Sequence, residues 1–287
     1  MSTALVTGAT GNVGSKLVRA LRARGVAVRA FVRDREKGRA LLGHDVDLAV
    51  GDFAAPDSIR AAMDGVDAVF LACANDPRQV EYEMGVIDAA AGARVRRMVK
   101  LSAVGAEVGS PLSFWAWHGR IERHLRDSGL PAVVLRPTMY MTTLLGSAET
   151  IKRTGRLFAP AGGARIAMID PRDVADLAAV VLTEDGHAGQ TYVLTGPEAL
   201  TYEEIAAHLS RASGRTIEFV DVPDEAARAA LVQAGMPEWM AEQLVVLFGL
   251  LRRGAMAQTT GAVQALTGRG GRPFAAFARE HVHLFGA

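Results

Sequence analysis

Roughly the first 135 residues alternate short apolar runs with longer segments of helical periodicity, and this alternation constrains the fold more than any other feature. The apolar runs are continuous, which is the pattern of strands buried on both faces. Six runs are predicted as strands, at residues 4–7, 26–32, 46–50, 68–72, 98–101 and 132–136. We therefore expect an α/β protein with a Rossmann-type, doubly wound parallel sheet, whose ligand lies beyond the carboxyl ends of the strands.

The alternation weakens after Pro137, where a second lobe is expected. Residues 155–163 are predicted as a loop, and residues 166–169 and 191–194 as strands. From Thr201 onward the pattern is mainly helical, with breaks at glycine and proline.

Charge and cysteine content exclude several classes of protein. Lys and Arg number 32 against 31 Asp and Glu, so the net charge of +1 provides no global positive field for binding nucleic acid. The single cysteine, Cys73, allows no internal disulfide, and no Cys/His cluster has metal-site spacing. No stretch of about 18 apolar residues would span a membrane, and the N-terminus has no targeting signal, so a cytoplasmic protein is expected.

The strongest motif is a glycine-rich loop between the first predicted strand and the first helix, with Gly-x-x-Gly-x-x-Gly spacing. Glycines there allow a tight turn and a close approach of backbone N–H groups to a pyrophosphate, to which the helix N-terminus adds partial positive charge. The expected cofactor contacts in this loop are Gly8, Thr10, Gly11, Asn12, Val13 and Gly14. The alternative is a tight turn that binds no ligand.

The end of the second strand bears on the choice between NAD and NADP. An acidic residue there would bind a ribose 2′-hydroxyl, whereas a basic residue would meet a 2′-phosphate. Arg33 ends the strand, Asp34 follows it on the opposite side of the chain, and Lys37 adds positive charge. We therefore expect NADPH, with NADH as the weaker cofactor. The alternative is that these basic residues only form a solvated helix start.

These features predict two domains. Residues 1–138, with residues 166–196 returning to them, are expected to form an NADP-binding domain. Residues 139–165 and 197–287 are expected to form a smaller, mainly helical substrate-binding lobe.

Motifs along nearly the whole chain resemble the short-chain dehydrogenase/reductase superfamily, and in particular its atypical NmrA-like group, which includes bacterial NAD(P)H:quinone reductases. The matching segments are residues 7–14, 32–34, 51–53, 100–103, 128–130, 135–137, 169–175 and 194–198. The resemblance implies that Asp52 and Phe53 flank the adenine and that Ala72, Cys73 and Ala74 line the ribose region. It also implies that Ser102 and Pro137 border the nicotinamide.

One departure from the superfamily pattern concerns catalysis. Standard members carry Tyr-x-x-x-Lys on the fifth helix; by the family pattern the tyrosine position falls on Phe114 and the lysine position on His118. The predicted helix 113–127 contains neither tyrosine nor lysine. Hydride transfer to a ketone needs a group that neutralises the developing alkoxide.

The candidate catalytic residues are His118, Ser102 and Tyr140, and each has a second interpretation. His118 titrates near neutrality, but it could instead hydrogen-bond the nicotinamide ribose in place of the lysine. Ser102 could bind a carbonyl oxygen or simply end a strand, and Tyr140 could form a pocket wall. A quinone or phenolic polyketide, with acidic hydroxyls and a delocalised oxyanion, lessens the need for a protein acid.

The sequence supports three hypotheses about function. The first is an NADPH-dependent reductase of a quinone or aromatic polycyclic ketone, such as a tailoring ketoreductase of antibiotic biosynthesis. A surplus of aromatic and methionine side chains near predicted strand ends, including Trp115, Trp117, Met139 and Phe158, suits such a flat ligand. The second is an NADP-binding redox sensor without turnover, and the third an epimerase, dehydratase or lyase that uses NADP structurally. The oligomeric state is left open.

Overall fold

The computed structural model describes residues 2–286, which form two structural units. The first unit extends to Ser110 and includes Phe114–Pro137 and Pro171–Val193. The second comprises Pro111–Ser113, Thr138–Asp170 and the chain from Leu194 onward. Which unit binds cofactor and which binds substrate stays a prediction.

A seven-stranded sheet forms the centre of the first unit and confirms the predicted Rossmann-type α/β fold. The strands of the chain are β1 Thr3–Val6, β2 Ala27–Val32, β3 Asp47–Val50, β4 Ala68–Leu71, β5 Arg97–Leu101, β6 Ala132–Pro137, β7 Arg156–Ala159, β8 Thr191–Leu194 and β9 Glu218–Asp221. The sheet order is β3-β2-β1-β4-β5-β6-β8, and the pairings from β3 through to β6 are parallel. The order reverses between β1 and β4, where a doubly wound sheet forms its ligand crevice.

Six helices accompany this sheet. They are α1 Gly14–Ala23, α2 Arg35–Leu42, α3 Pro56–Ala62, α4 Gln79–Gly92, α5 Ser113–Asp127 and α7 Pro171–Thr183, the number α6 belonging to the second unit. Each buries an apolar face; in α1, Leu17, Val18 and Leu21 are fully buried. β4 is buried along its whole length, as the continuous apolar run predicts.

The second unit contains a small parallel sheet in which β7 pairs with β9. Its helices are α6 Ala148–Thr154, α8 Tyr202–Ser213, α9 Asp224–Gln233, α10 Glu238–Arg252, α11 Ala262–Thr267, α12 Phe274–Glu280 and α13 Val282–Phe285, with a 3₁₀ helix at Met141–Ser147. A capping box starts α8: Thr201 Oγ1 accepts from the N–H of Glu204, and the Glu204 side chain accepts from the N–H of Thr201.

The structure corrects two sequence-based assignments in the second unit and adds one strand. The expected loop 155–163 contains β7. The region after Thr201 is mainly helical as predicted, but it also contains β9, which pairs with β7. The expected strand 166–169 is only a pair of isolated bridges. Ile166 pairs with Leu200 in antiparallel orientation and Ile169 pairs with Tyr140 in parallel orientation, so no continuous ladder forms.

Two kinds of feature are absent from the part of the chain that the structure describes. Within residues 2–286, no helix is long and apolar enough to cross a membrane. The same residues contain no cluster of three or more His, Cys, Asp or Glu side chains that could hold a metal ion.

Candidate functional site

The glycine-rich loop turns so tightly that a Cβ on any of Gly8, Gly11 and Gly14 would crowd a backbone oxygen. Gly8 has φ +59°, and a Cβ there would lie 3.0 Å from the carbonyl oxygen of Ala72. A Cβ on Gly14 would lie only 2.2 Å from the carbonyl oxygen of Gly8. The N–H of Gly11 donates to the same Gly8 oxygen at a distance of 2.8 Å. Gly11 and Asn12 are exposed, Thr10 is half-buried and Val13 is buried beneath the loop.

Thr7 links the loop to the end of β4. Its Oγ1 donates to the carbonyl oxygen of Ala72 at 2.9 Å and accepts from the N–H of Ala72 at 2.8 Å. This contact places Cys73 and Ala74, which follow Ala72, beside the glycine loop at the sheet edge. Cys73 is half-buried. Burial, followed by the nearby charge of Glu83, raises the pKa of the Cys73 thiol to about 12, so it is neutral and a poor nucleophile.

A basic depression lies next to the loop. It has a volume of about 390 Å³ and is lined by Thr10, Val32, Arg33, Asp34 and Lys37. Asp34 is the N-cap of α2, and its Oδ1 accepts from the N–H of Lys37 at 3.0 Å. Arg33 and Lys37 are exposed, and their side chains make no hydrogen bond or ion pair with any residue that the structure describes. Two unpaired cations are therefore free to meet an anion here.

Asp52 and Phe53 follow the end of β3. Asp52 is exposed, and its Oδ1 accepts from the N–H of Ala54 at 2.8 Å. The Phe53 ring lies near two other rings, with centroid distances of 5.6 Å to Phe31 and 6.1 Å to Tyr82. Phe31 and Tyr82 are buried, so the half-buried Phe53 packs against the core next to the end of β3.

His118 lies on α5 against a buried ion pair. Lys100, on β5, lies 2.8 Å from Glu83 Oε2 of α4, and both side chains are 0% exposed. Lys100 Nζ is 3.2 Å from His118 Nδ1, and Gln79 Nε2 donates to Glu83 Oε1 at 2.9 Å. Burial, followed by the charges of Lys100 and Arg136, holds the pKa of His118 well below 6.5. His118 is therefore a neutral imidazole at neutral pH.

Ser102 belongs to a separate hydrogen-bonded group. Its Oγ donates to Glu122 Oε1. Glu122 also accepts from Arg136, which donates through Nε to Oε1 at 3.0 Å and through Nη2 to Oε2 at 2.5 Å. Arg136 Nη2 also donates to the carbonyl oxygen of Ala106. Because its hydrogen is directed at Glu122, the Ser102 oxygen can only accept from a ligand in this arrangement.

The remaining predicted site residues are Pro137 and Tyr140. Pro137 ends β6 and is buried, and its carbonyl oxygen accepts from the N–H of Val104 at 3.0 Å. Tyr140 belongs to the second unit and is half-buried; burial raises the pKa of its phenol, which therefore stays protonated. The Tyr140 hydroxyl makes no hydrogen bond to any residue between 2 and 286.

The sequence interpretation did not include Lys100, Glu83 or Gln79. A signal was present, because Lys100 interrupts an otherwise apolar stretch of β5 that must be buried on both faces. A lysine in such a strand requires a buried acceptor. Glu83 and Gln79 lie four residues apart on α4 and thus share one helix face.

The parallel sheet with its glycine loop and the flanking helices define a Rossmann-type α/β protein. Comparison with known sequences makes this more specific. A model of the NmrA-like family matches residues 1–263. The chain belongs to the NmrA-like family, as the sequence motifs predicted.

Several similar proteins are named as reductases. The chain is 37% identical over 283 residues to an NAD(P)H azoreductase of Xenophilus azovorans, covering 99% of both chains. It is 40% identical over 282 residues to a (4-alkanoyl-5-oxo-2,5-dihydrofuran-3-yl)methyl phosphate reductase of Streptomyces griseus, covering 98% of both. Among solved structures, an NADPH-dependent quinone oxidoreductase of Escherichia coli, complexed with NADPH, matches with a TM-score of 0.88 and 27% identity, covering 96% of this chain and 99% of that one.

Proposed function

We propose that the protein is an NADPH-dependent oxidoreductase that reduces a quinone or an aromatic polycyclic ketone. The observation that carries the cofactor preference is the basic depression. Arg33 and Lys37 line it without partners among the described residues, while the Asp34 carboxylate caps α2. The reductase activity of the two sequence relatives and of the Escherichia coli quinone oxidoreductase supports the reaction class.

The described residues fit a dinucleotide with a 2′-phosphate. The loop at Gly8, Gly11 and Gly14 has no space for side chains, so backbone can approach a pyrophosphate closely. Arg33 and Lys37 would hold the 2′-phosphate by charge-assisted hydrogen bonds. Asp52 and Phe53 would border the adenine, and residues 72–74 the ribose. When bound, NADPH supplies the hydride.

The proposed reaction is a two-electron reduction in which a quinone and NADPH take up one proton from solvent and give a hydroquinone and NADP⁺. A quinone suits this site because the two candidate groups in the first unit are poor acids. His118 is neutral with a lowered pKa, and the Ser102 hydrogen is directed at Glu122. A delocalised oxyanion can take its proton from water and needs only hydrogen-bond stabilisation from the protein. Tyr140, with a protonated and unpaired hydroxyl, is the third candidate donor.

The test is oxidation of NADPH and of NADH by the purified protein in the presence of a panel of quinones and polycyclic aromatic ketones. We expect turnover with at least one conjugated acceptor and a higher kcat/KM for NADPH than for NADH. Equal kcat/KM values would contradict the NADPH assignment, and turnover only with isolated aliphatic ketones would contradict the substrate class.

A second candidate function is an NADP-binding redox sensor. The absence of tyrosine and lysine from α5, together with the neutral His118, favours it, because these leave the first unit without an ordinary acid catalyst. Tight NADPH binding without turnover across the whole panel would support the sensor and contradict the reductase.

A further inference from the structure

A lysine ammonium is the centre of the buried group next to His118. Lys100 Nζ donates to the carbonyl oxygen of Leu101, lies 3.2 Å from His118 Nδ1 and forms an ion pair with Glu83 Oε2 at 2.8 Å. An ammonium carries three N–H groups and no lone pair. Two acceptors and a carboxylate therefore surround a group that can only donate, and the ion pair with Glu83 provides the opposite charge within the same buried space.

This arrangement determines which nitrogen of His118 is protonated. Because the Lys100 ammonium can only donate, His118 Nδ1 must accept and cannot carry a hydrogen. The low pKa of His118 keeps the ring neutral, so its one hydrogen resides on Nε2. The charged groups acting on the ring are Lys100 from β5 and Arg136 from β6, while Glu83 from α4 contacts Lys100.

The Nε2 atom of His118 has no partner within residues 2–286. His118 is 9% exposed, and Nε2 makes no hydrogen bond to any residue in the described part of the chain. Nε2 is not fully enclosed by protein, and a bound ligand that covers it must provide an acceptor. The tautomer imposed by Lys100 thus leaves a directed N–H available for an oxygen atom.

We propose that the Glu83–Lys100 ion pair is a positioning device that fixes His118 as an Nε2–H hydrogen-bond donor to an oxygen of a bound ligand. The oxygen belongs either to the substrate carbonyl or to a ribose hydroxyl of the dinucleotide; the identity of the ligand rests on the proposed function. Lys100 and Glu83 act through His118 and are positioning residues. In this role His118 is a hydrogen-bond donor and not a general acid. It stabilises negative charge on the acceptor oxygen and keeps its own proton.

The tautomer can be measured without turnover, by nitrogen NMR of the full chain labelled with ¹⁵N-histidine. The His118 signals are identified by their loss in His118→Gln, and His124, near the surface of the same helix, provides an internal comparison. We expect a bare Nδ1 and a protonated Nε2 that do not change across neutral pH. A hydrogen on Nδ1, or an imidazolium near pH 7, would overturn the proposal even if the protein is an active reductase.

The positioning role is tested with Glu83→Gln combined with Lys100→Met, which removes both charges and leaves no unpaired ion. We expect the His118 signals to become a mixture of tautomers while the melting temperature shows a folded protein. The wild-type spectrum remains decisive if this variant does not fold. A folded variant that retains pure Nε2–H would show that the ion pair does not determine the tautomer.

The donor role is tested with His118→Phe, which removes the N–H, and two measurements distinguish the possible acceptors. If the acceptor is a ribose hydroxyl, the Kd for NADPH rises about tenfold, the effect of losing one hydrogen bond. If it is the substrate carbonyl, kcat/KM for the acceptor falls by a similar factor with the Kd for NADPH unchanged. Unchanged values of both quantities would overturn the donor role.

Discussion

Ser102 donates its hydroxyl hydrogen to Glu122, and both side chains are only 5% exposed. Glu122 is held in turn by two hydrogen bonds from Arg136, so an acid on α5, a hydroxyl after β5 and a guanidinium on β6 form one unit. The side chains of α5 are thereby oriented against the ends of two strands. His118 lies one turn before Glu122 on the same helix, and its orientation depends on the same packing.

Glu122→Ala should lower the free energy of unfolding by about 2–3 kcal/mol, because it leaves the Ser102 hydroxyl and part of the Arg136 guanidinium without their acceptor. Urea unfolding measures this change. Glu81→Ala is the matched control, since Glu81 is an exposed helical glutamate and its loss should change stability by about 0.5 kcal/mol or less. Equal effects of the two substitutions would contradict a structural role for the Ser102–Glu122–Arg136 group.

Arg33→Ala and Lys37→Ala should each raise the Kd for NADPH by about tenfold while changing the Kd for NADH by about twofold or less. The physical reason is that each removes an unpaired cation from the depression that would hold the 2′-phosphate. Fluorescence titration with both nucleotides gives the two constants. Arg123→Ala, an exposed position on α5 with the same change in charge, should leave both constants unaltered. An equal rise in the Kd for NADH would indicate that these cations act through a general electrostatic attraction and not through contact with a 2′-phosphate.

Asp34 should act as a helix cap rather than as a ribose ligand. Asp34→Ala should lower the free energy of unfolding by about 1 kcal/mol, whereas Asp34→Asn, which retains a capping oxygen, should be nearly neutral. Thermal unfolding of the two variants measures the difference. NADH binding should not weaken in either variant; a clear loss of NADH affinity in Asp34→Ala would instead assign the carboxylate to the ribose.

Gly14→Ala should abolish nucleotide binding and destabilise the protein by about 2 kcal/mol or more, because a Cβ would lie 2.2 Å from the carbonyl oxygen of Gly8. Calorimetric titration and thermal unfolding test the two effects. Gly85→Ala on α4, where nothing lies within 4 Å of the added carbon, should stabilise the helix by about 0.5–1 kcal/mol. Tolerance of alanine at position 14 would contradict the described loop geometry.

The sheet of the first unit was predictable because its strands must be apolar throughout when both faces are covered. The run at residues 68–72 became β4, which is buried along its whole length, and the glycine loop follows β1 where the pattern placed it. Arg33 and Lys37 could be predicted as candidate cofactor contacts because their positions at the end of the second strand are visible in the local sequence. These features are local, so one chain carries enough information to predict them.

The features that could not be predicted depend on contacts between segments that are distant in the sequence. β7 and β9 are four residues each and gain their regular structure from pairing across a long intervening chain, which neither segment reveals alone. Similarly, the sequence placed His118 on a helix but gave no sign that Lys100 contacts its Nδ1. The protonation and tautomer of His118 depend on the packing of α4, β5 and α5, so they could not be deduced from the sequence of α5 alone.

Thr7 has a further consequence at the sheet reversal. β1 ends at Val6 and β4 at Leu71, so the N–H and carbonyl groups of Ala72 lie beyond the last residues that pair between these two strands. The Thr7 hydroxyl engages both, and thereby substitutes for one missing rung of the ladder. A valine of nearly equal size would leave two polar groups of the Ala72 peptide unmatched inside the crevice. The Thr7 hydroxyl oxygen thus allows the chain segments after β1 and β4 to separate while the backbone groups of Ala72 remain hydrogen-bonded.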